Sequence, residues 1–117
     1  MVPVLLNCYS ALRIPHSEFH MIVGTARIAL YLPENYSLKD KRQDLKSILA
    51  RVINQFHVAA AEVGDHDNWQ RAVIGVACVS SDARHANEIL SKVVSFIENN
   101  LQQGGLEDYE IEILHLS

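Results

Sequence analysis

Four cations lie close together in one stretch, Ser37-Leu38-Lys39-Asp40-Lys41-Arg42 and on to Lys46. Lys39, Lys41, Arg42 and Lys46 are the side chains expected to contact phosphate if the protein meets RNA, because cations at a polyanion release its condensed counterions. Lys39, Arg42 and Lys46 recur at three- and four-residue spacing and so share a helix face. From Lys39 to Arg51 there are five basic residues (Lys39, Lys41, Arg42, Lys46, Arg51) against two acidic ones (Asp40, Asp44), a local charge of +3. The whole chain carries −4, which leaves −7 for the remainder. A polyanion would therefore have to bind locally, since the bulk charge repels it. The rival reading is a solvated helix face crossed by i,i+4 ion pairs.

A second polar group sits at Glu62-Val63-Gly64-Asp65-His66-Asp67-Asn68-Trp69-Gln70-Arg71. Asp65, His66 and Asp67 are adjacent loop residues without further ligands, an unspecific set for a metal, and none is expected. Trp69 reads as a hairpin anchor whose ring covers the edge of the core and whose indole N–H finds a partner. Glu62 and Arg71 flank this hairpin and are expected to pair across it. Glu62, Trp69 and Arg71 also form a candidate interaction site. Ser80, Ser81 and His85 are near one another, but Ser81 has the simpler role of a helix cap. His57 and His115 stand alone. Nothing supplies a nucleophile with its base, paired carboxylates or a glycine-rich phosphate loop, so no enzyme and no cofactor are expected.

These residues are positioned by six elements. Ile22 to Leu32 alternates, with Ile22, Gly24, Ala26, Ile28, Leu30 and Leu32 on one side and Val23, Thr25, Arg27, Ala29 and Tyr31 on the other. That pattern is a strand buried on one face. Ser37 caps a helix reaching about Phe56, with Asp40 three residues on. Leu38, Leu45, Ile48, Leu49, Val52, Ile53 and Phe56 form its apolar stripe. Val58 to Val63 reads as a second strand, Gly64 to Asn68 as a loop, and Trp69 to Ser80 as a third strand. Ser81 or Asp82 caps a second helix that buries Ala86, Ile89, Leu90, Val93, Val94 and Ile97. Gly104-Gly105 breaks the chain, and Tyr109 to Leu116 alternates as a fourth strand.

The order βαββαβ predicts an α+β, ferredoxin-like fold: an antiparallel four-stranded sheet in the order 4-1-3-2, with two helices on one face. The other face is left open. Arg27, Tyr31 and Glu112 are expected there, with Arg27 pairing a glutamate of strand four, where Glu110 and Glu112 share a face. Apolar residues on that face predict a homodimer.

The chain has 117 residues, of which 49% are hydrophobic and 21% charged, in keeping with one globular domain. Cys8 and Cys78 make no disulfide framework, and no apolar run is long enough for a membrane span, so a reducing, cytoplasmic setting is expected. Residues 1–20 break the pattern. They are expected to be an extension, disordered or not native to the domain, with residues 21–117 forming the single folded unit.

Met21-Ile22-Val23-Gly24, Ser37-Leu38-Lys39-Asp40-Lys41-Arg42, Ala61-Glu62-Val63, Trp69-Gln70-Arg71-Ala72 and Ser80-Ser81-Asp82-Ala83 together resemble the YlxP-like family, domain of unknown function 503. The resemblance runs from Met21 to about Leu114. It implies a bacterial, cytoplasmic, ferredoxin-like protein without an established activity, encoded beside translation and ribosome-maturation factors. The function expected on all these grounds is a non-enzymatic binding protein, an accessory factor in ribosome or RNA metabolism with RNA or ribosomal components as partners. The alternative is a self-associating structural or regulatory domain whose open sheet face takes a small ligand or a protein.

Overall fold

A computed structural model describes residues 20–116. Apart from His20, the expected N-terminal extension lies outside the described residues. Strand β1 (Met21–Tyr31) leads to helix α1 (Leu38–Phe56), then β2 (Ala59–Gly64), β3 (Arg71–Ser80), helix α2 (Ala83–Asn100) and β4 (Gly105–Leu116). The strands form one antiparallel sheet in the order β2-β3-β1-β4. This is the α+β, ferredoxin-like arrangement that the pattern predicts, with both helices packed on one face.

Local chemistry sets the helix ends. The Ser37 hydroxyl accepts from the Asp40 N–H at 3.1 Å, and Asp40 Oδ2 accepts from the N–H of Tyr36, the residue before the cap, at 3.2 Å. At the far end His57 takes a left-handed conformation (φ 55°), and its N–H closes on the Ile53 carbonyl at 2.9 Å. Asp82, rather than Ser81, caps α2 by accepting from the Arg84 N–H at 3.0 Å.

The core lies between the helices and one sheet face. Ile22, Ala26, Ile28 and Leu30 of β1 and Ala72, Ile74, Val76 and Cys78 of β3 meet Leu45, Ile48 and Val52 of α1 and Leu90, Val93 and Ile97 of α2. Gly24 lets α2 come close: a Cβ there would stand 2.8 Å from Leu90 Cδ1.

Two strand starts differ from expectation by more than one residue. β3 starts at Arg71, because Asn68 and Gln70 are held in the turn: the Asn68 N–H donates to the Asp65 carbonyl and the Gln70 N–H to Asn68 Oδ1. β4 starts four residues earlier than its alternation suggests, at Gly105. A bulge opposite Ala29 and Leu30 breaks the period there and hides the first residues of the strand.

Candidate functional site

The uncovered sheet face has three zones. Ala59, Ala61 and Val63 of β2 and Gly75 and Ala77 of β3 line one side of a shallow trough of about 620 Å³, which Thr25 and Arg27 of β1 continue and Glu110 and Glu112 of β4 close. Register places Arg27 opposite Glu110, and its guanidinium lies 3.7 Å from Glu110 Oε1 and 3.3 Å from Asp108 Oδ2. Thr25 stands opposite Glu112. Arg71 lies over the Tyr31 ring, 5.6 Å from its centroid, and pairs with Glu107. Tyr31, Val63, Val79, Leu114 and Leu116 project from this face as exposed apolar side chains, Val79 at 69%. Arg27, Tyr31 and Glu112 thus share the open face.

The basic stretch on α1 divides. Lys39, Arg42 and Lys46 are exposed on one helix face. Lys41 is not with them. It is 1% exposed, and its ammonium donates to the carbonyls of Asp65 (2.7 Å), His66 (3.2 Å) and Arg71 (3.3 Å), 2.8 Å from Glu62 Oε2. The expected phosphate contact at Lys41 is therefore replaced by an internal role. Three main-chain acceptors and one carboxylate enclose the ammonium, which satisfies the rule that a buried charge be paired and hydrogen-bonded. Glu62 Oε2 has no aligned hydrogen-bond donor, so its charge is balanced by the ammonium next to it. A substrate has no path to this amine, and the arrangement latches the β2–β3 turn to α1 rather than performing chemistry. The sequence did carry a signal: Lys41 extends the Leu45, Ile48, Val52 stripe one turn towards the N-terminus.

The same contact corrects the expected Glu62–Arg71 pair. Glu62 faces the helices beside Lys41, with His66 Nδ1 3.6 Å from its Oε1, whereas Arg71 is on the open face with Glu107. Trp69 does not cap the core. It stays 50% exposed in the turn, among Asp65, His66, Asp67, Asn68 and Gln70. Among the described residues no group of three His, Cys, Asp or Glu side chains converges as for a metal ion. Burial pushes the Cys78 thiol above its usual value, partly offset by a hydrogen bond with the Gly24 backbone, so Cys78 is a core residue rather than a nucleophile.

A further polar cluster joins the two ends of the chain's crossover connections. Gln103, in the loop before β4, donates from Nε2 to Asn35 Oδ1 (2.7 Å) and Asp44 Oδ2 (3.0 Å), and its Oε1 accepts from the Glu34 N–H at 2.5 Å. Asn35 is 2% exposed, and its Nδ2 has no partner. Sequence reasoning missed this cluster, because nothing in the local pattern links residues so far apart.

A split βαβ domain with one uncovered sheet face is, as a class, a small α+β domain. The chain belongs to the family described as "Protein of unknown function (DUF503)", whose model matches residues 23–111. It is similar to the "Uncharacterized protein YlxP" of Bacillus subtilis (strain 168), 40% identical over 78 residues, which span 67% of this chain and 85% of that protein. Among solved structures it is similar to "Structure of domain of unknown function DUF77 from Bacillus cereus", at 13% identity and a TM-score of 0.38, over 84% of this chain and 77% of that one. No name among these assigns an enzymatic activity. No helix of the described residues is long and apolar enough to cross a membrane.

Proposed function

We propose that this chain is a non-enzymatic, cytoplasmic binding protein that works through the uncovered face of its sheet, and that its first partner there is a second copy of itself. The observation that carries this reading is the set of apolar side chains on that face, Tyr31, Val63, Val79, Leu114 and Leu116. Apolar surface gathered on one face marks an interaction site. Two such sheets stack about 10 Å apart, and the small residues Ala59, Ala61, Gly75 and Ala77 allow that approach. Pairing through the β4 edge is disfavoured, because Glu107, Asp108, Glu110 and Glu112 would face like charges. Sedimentation equilibrium across the micromolar range is the test. Wild type should dimerise, and Val79→Lys with Leu114→Lys should weaken the dimer by at least about tenfold. A monomer at every concentration, or variants that dimerise like wild type, would overturn the reading.

A second reading rests on Lys39, Arg42 and Lys46, three exposed cations on one helix face. On the opposite layer from the sheet surface, they would contact the phosphate backbone of RNA, as in an accessory factor of ribosome or RNA metabolism. Three contacts to a single strand predict a log–log salt slope near −2 by the rule of about 0.7 per contact. Changing all three to Gln should abolish binding and leave the melting temperature nearly unchanged. Equal salt slopes for wild type and variant would remove this reading and leave the first intact.

A further inference from the structure

A hollow of about 240 Å³ lies beside α1, under the loop before β4. Leu32, Ile48 and Leu101 provide an apolar floor, and the rim carries both signs of charge, Asp44 and Arg51. Seven residues apart on one helix, these two share a face and stand about 10 Å apart along its axis. A neighbouring hollow shares Asp44 and Gln103 with it and reaches Asn35.

The Asp44 end already recognises a donor. Asn35 Oδ1 and Asp44 Oδ2 converge on one nitrogen, Gln103 Nε2. That nitrogen belongs to a neutral carboxamide, although one of its acceptors is a carboxylate; a cation in the same place would make the stronger, charge-assisted contacts. Gln103 therefore fills a cradle better suited to an ammonium group. It hangs from the loop before β4, and exchange for a ligand also gives up the bond that its Oε1 accepts from the Glu34 N–H. At the other end Arg51 is exposed, lies over the Phe96 ring at 5.1 Å, and gives Nη2 to Asn100 Oδ1 at 2.9 Å. A guanidinium has five N–H donors, so the remaining ones can take a carboxylate.

We propose that this hollow, together with the neighbouring one that reaches Asn35, binds a small zwitterion whose ammonium and carboxylate are separated by an aliphatic stem, the chemistry of an ω-amino acid. The ammonium replaces Gln103 Nε2 between Asn35 Oδ1 and Asp44 Oδ2. The carboxylate meets Arg51, and the stem lies on Leu32, Ile48 and Leu101. The site is on the helical layer, and it does not depend on what covers the sheet.

Calorimetric titration of the full chain with 6-aminohexanoate tests this, with hexanoate and hexylamine as controls that each lack one charged end. The zwitterion should bind at least about tenfold more tightly than either control, as one charge-assisted contact implies. Asp44→Asn should remove its advantage over hexanoate, and Arg51→Gln its advantage over hexylamine. Gln103→Ala should bind as well as wild type or better, since the competing carboxamide is gone. No saturable binding of 6-aminohexanoate to either wild type or Gln103→Ala overturns the proposal, and so do controls that bind wild type as tightly as the zwitterion.

Discussion

Two polar clusters grip the first half of α1, and they are built differently. At the turn between β2 and β3, Lys41 has oxygens on every side and almost no contact with solvent. At the loop before β4, Asp44 and Asn35 are bridged by one glutamine side chain, one amide donor is left without a partner, and a hollow lies alongside. The first cluster takes most of its acceptors from the main chain, which the sheet and turn hold in place, so it is closed. The second depends on the side chain of one glutamine. A charge can be buried without a route for ligands where main-chain carbonyls supply the acceptors; where a flexible side chain supplies the contacts, exchange for a ligand remains open. The placement of polar groups, rather than their number, separates a structural cluster from a candidate site.

Removing the Lys41 ammonium should have the largest effect. Lys41→Met leaves the buried Oε2 of the part-exposed Glu62 without its counter-charge and three carbonyls without their donor, which costs about 3 kcal/mol. The melting temperature should then fall by more than about 10 °C. Adding Glu62→Leu should recover part of the loss, because the orphaned charge goes with it. A single variant that melts within a few degrees of wild type would erase the contrast between the clusters.

The next effect belongs to the loop that carries Gln103. Gly104 has φ +64°, and a Cβ there would sit 1.8 Å from the Tyr31 carbonyl oxygen. Gly104→Ala should cost about 1–2 kcal/mol for the left-handed backbone alone, with a further loss as the loop moves off Tyr31. Urea denaturation reads this as a lower midpoint at an unchanged m-value. An unaltered midpoint would mean that the loop is not held where the cluster needs it.

Gln103→Ala should cost less than either change, about 1 kcal/mol, since its contacts are partly solvated and water can take over their partners. A loss equal to that of Lys41→Met would make the second cluster as structural as the first, which sharpens the comparison in the opposite direction.

Cys78 gives the smallest effect and serves as a control away from both clusters. Its native pKa lies above the ordinary thiol value of 9.0 because burial disfavours the thiolate. A pKa raised on folding contributes stability that is present below the unfolded value and is lost as pH rises through the native one. Stability should therefore decline on the alkaline side of 9.0, and Cys78→Ala should flatten that decline. In a Cys8→Ser background, the native thiol should react with Ellman's reagent at pH 8 far more slowly than the urea-unfolded chain. Equal rates would place Cys78 in contact with solvent.

Much of this architecture is written in local patterns. Alternation from Ile22 to Leu32 marks β1 and its buried face, Ser37 with Asp40 marks the start of α1, and the βαββαβ order is enough for the strand order. The open face follows from the same facts, and so does the pairing of Arg27 with the β4 carboxylates, because register follows from alternation and neighbour order. Each of these features depends on residues close in sequence or on a repeating period.

The stripe places Lys41 on the inner face of α1, but tertiary structure alone decided what encloses its ammonium, where Glu62 turns and which residues surround the hollow. Lys41 and Lys39 are alike in type and are two residues apart, yet one is enclosed and the other exposed. The acceptors that tell them apart are the carbonyls of Asp65, His66 and Arg71, groups that every residue type possesses, so no side-chain pattern can announce them. Gln103, Asn35 and Asp44 meet because two connections separated by most of the chain fold to the same end of the sheet, and hydrogen bonds between such distant residues are set by packing rather than by local sequence.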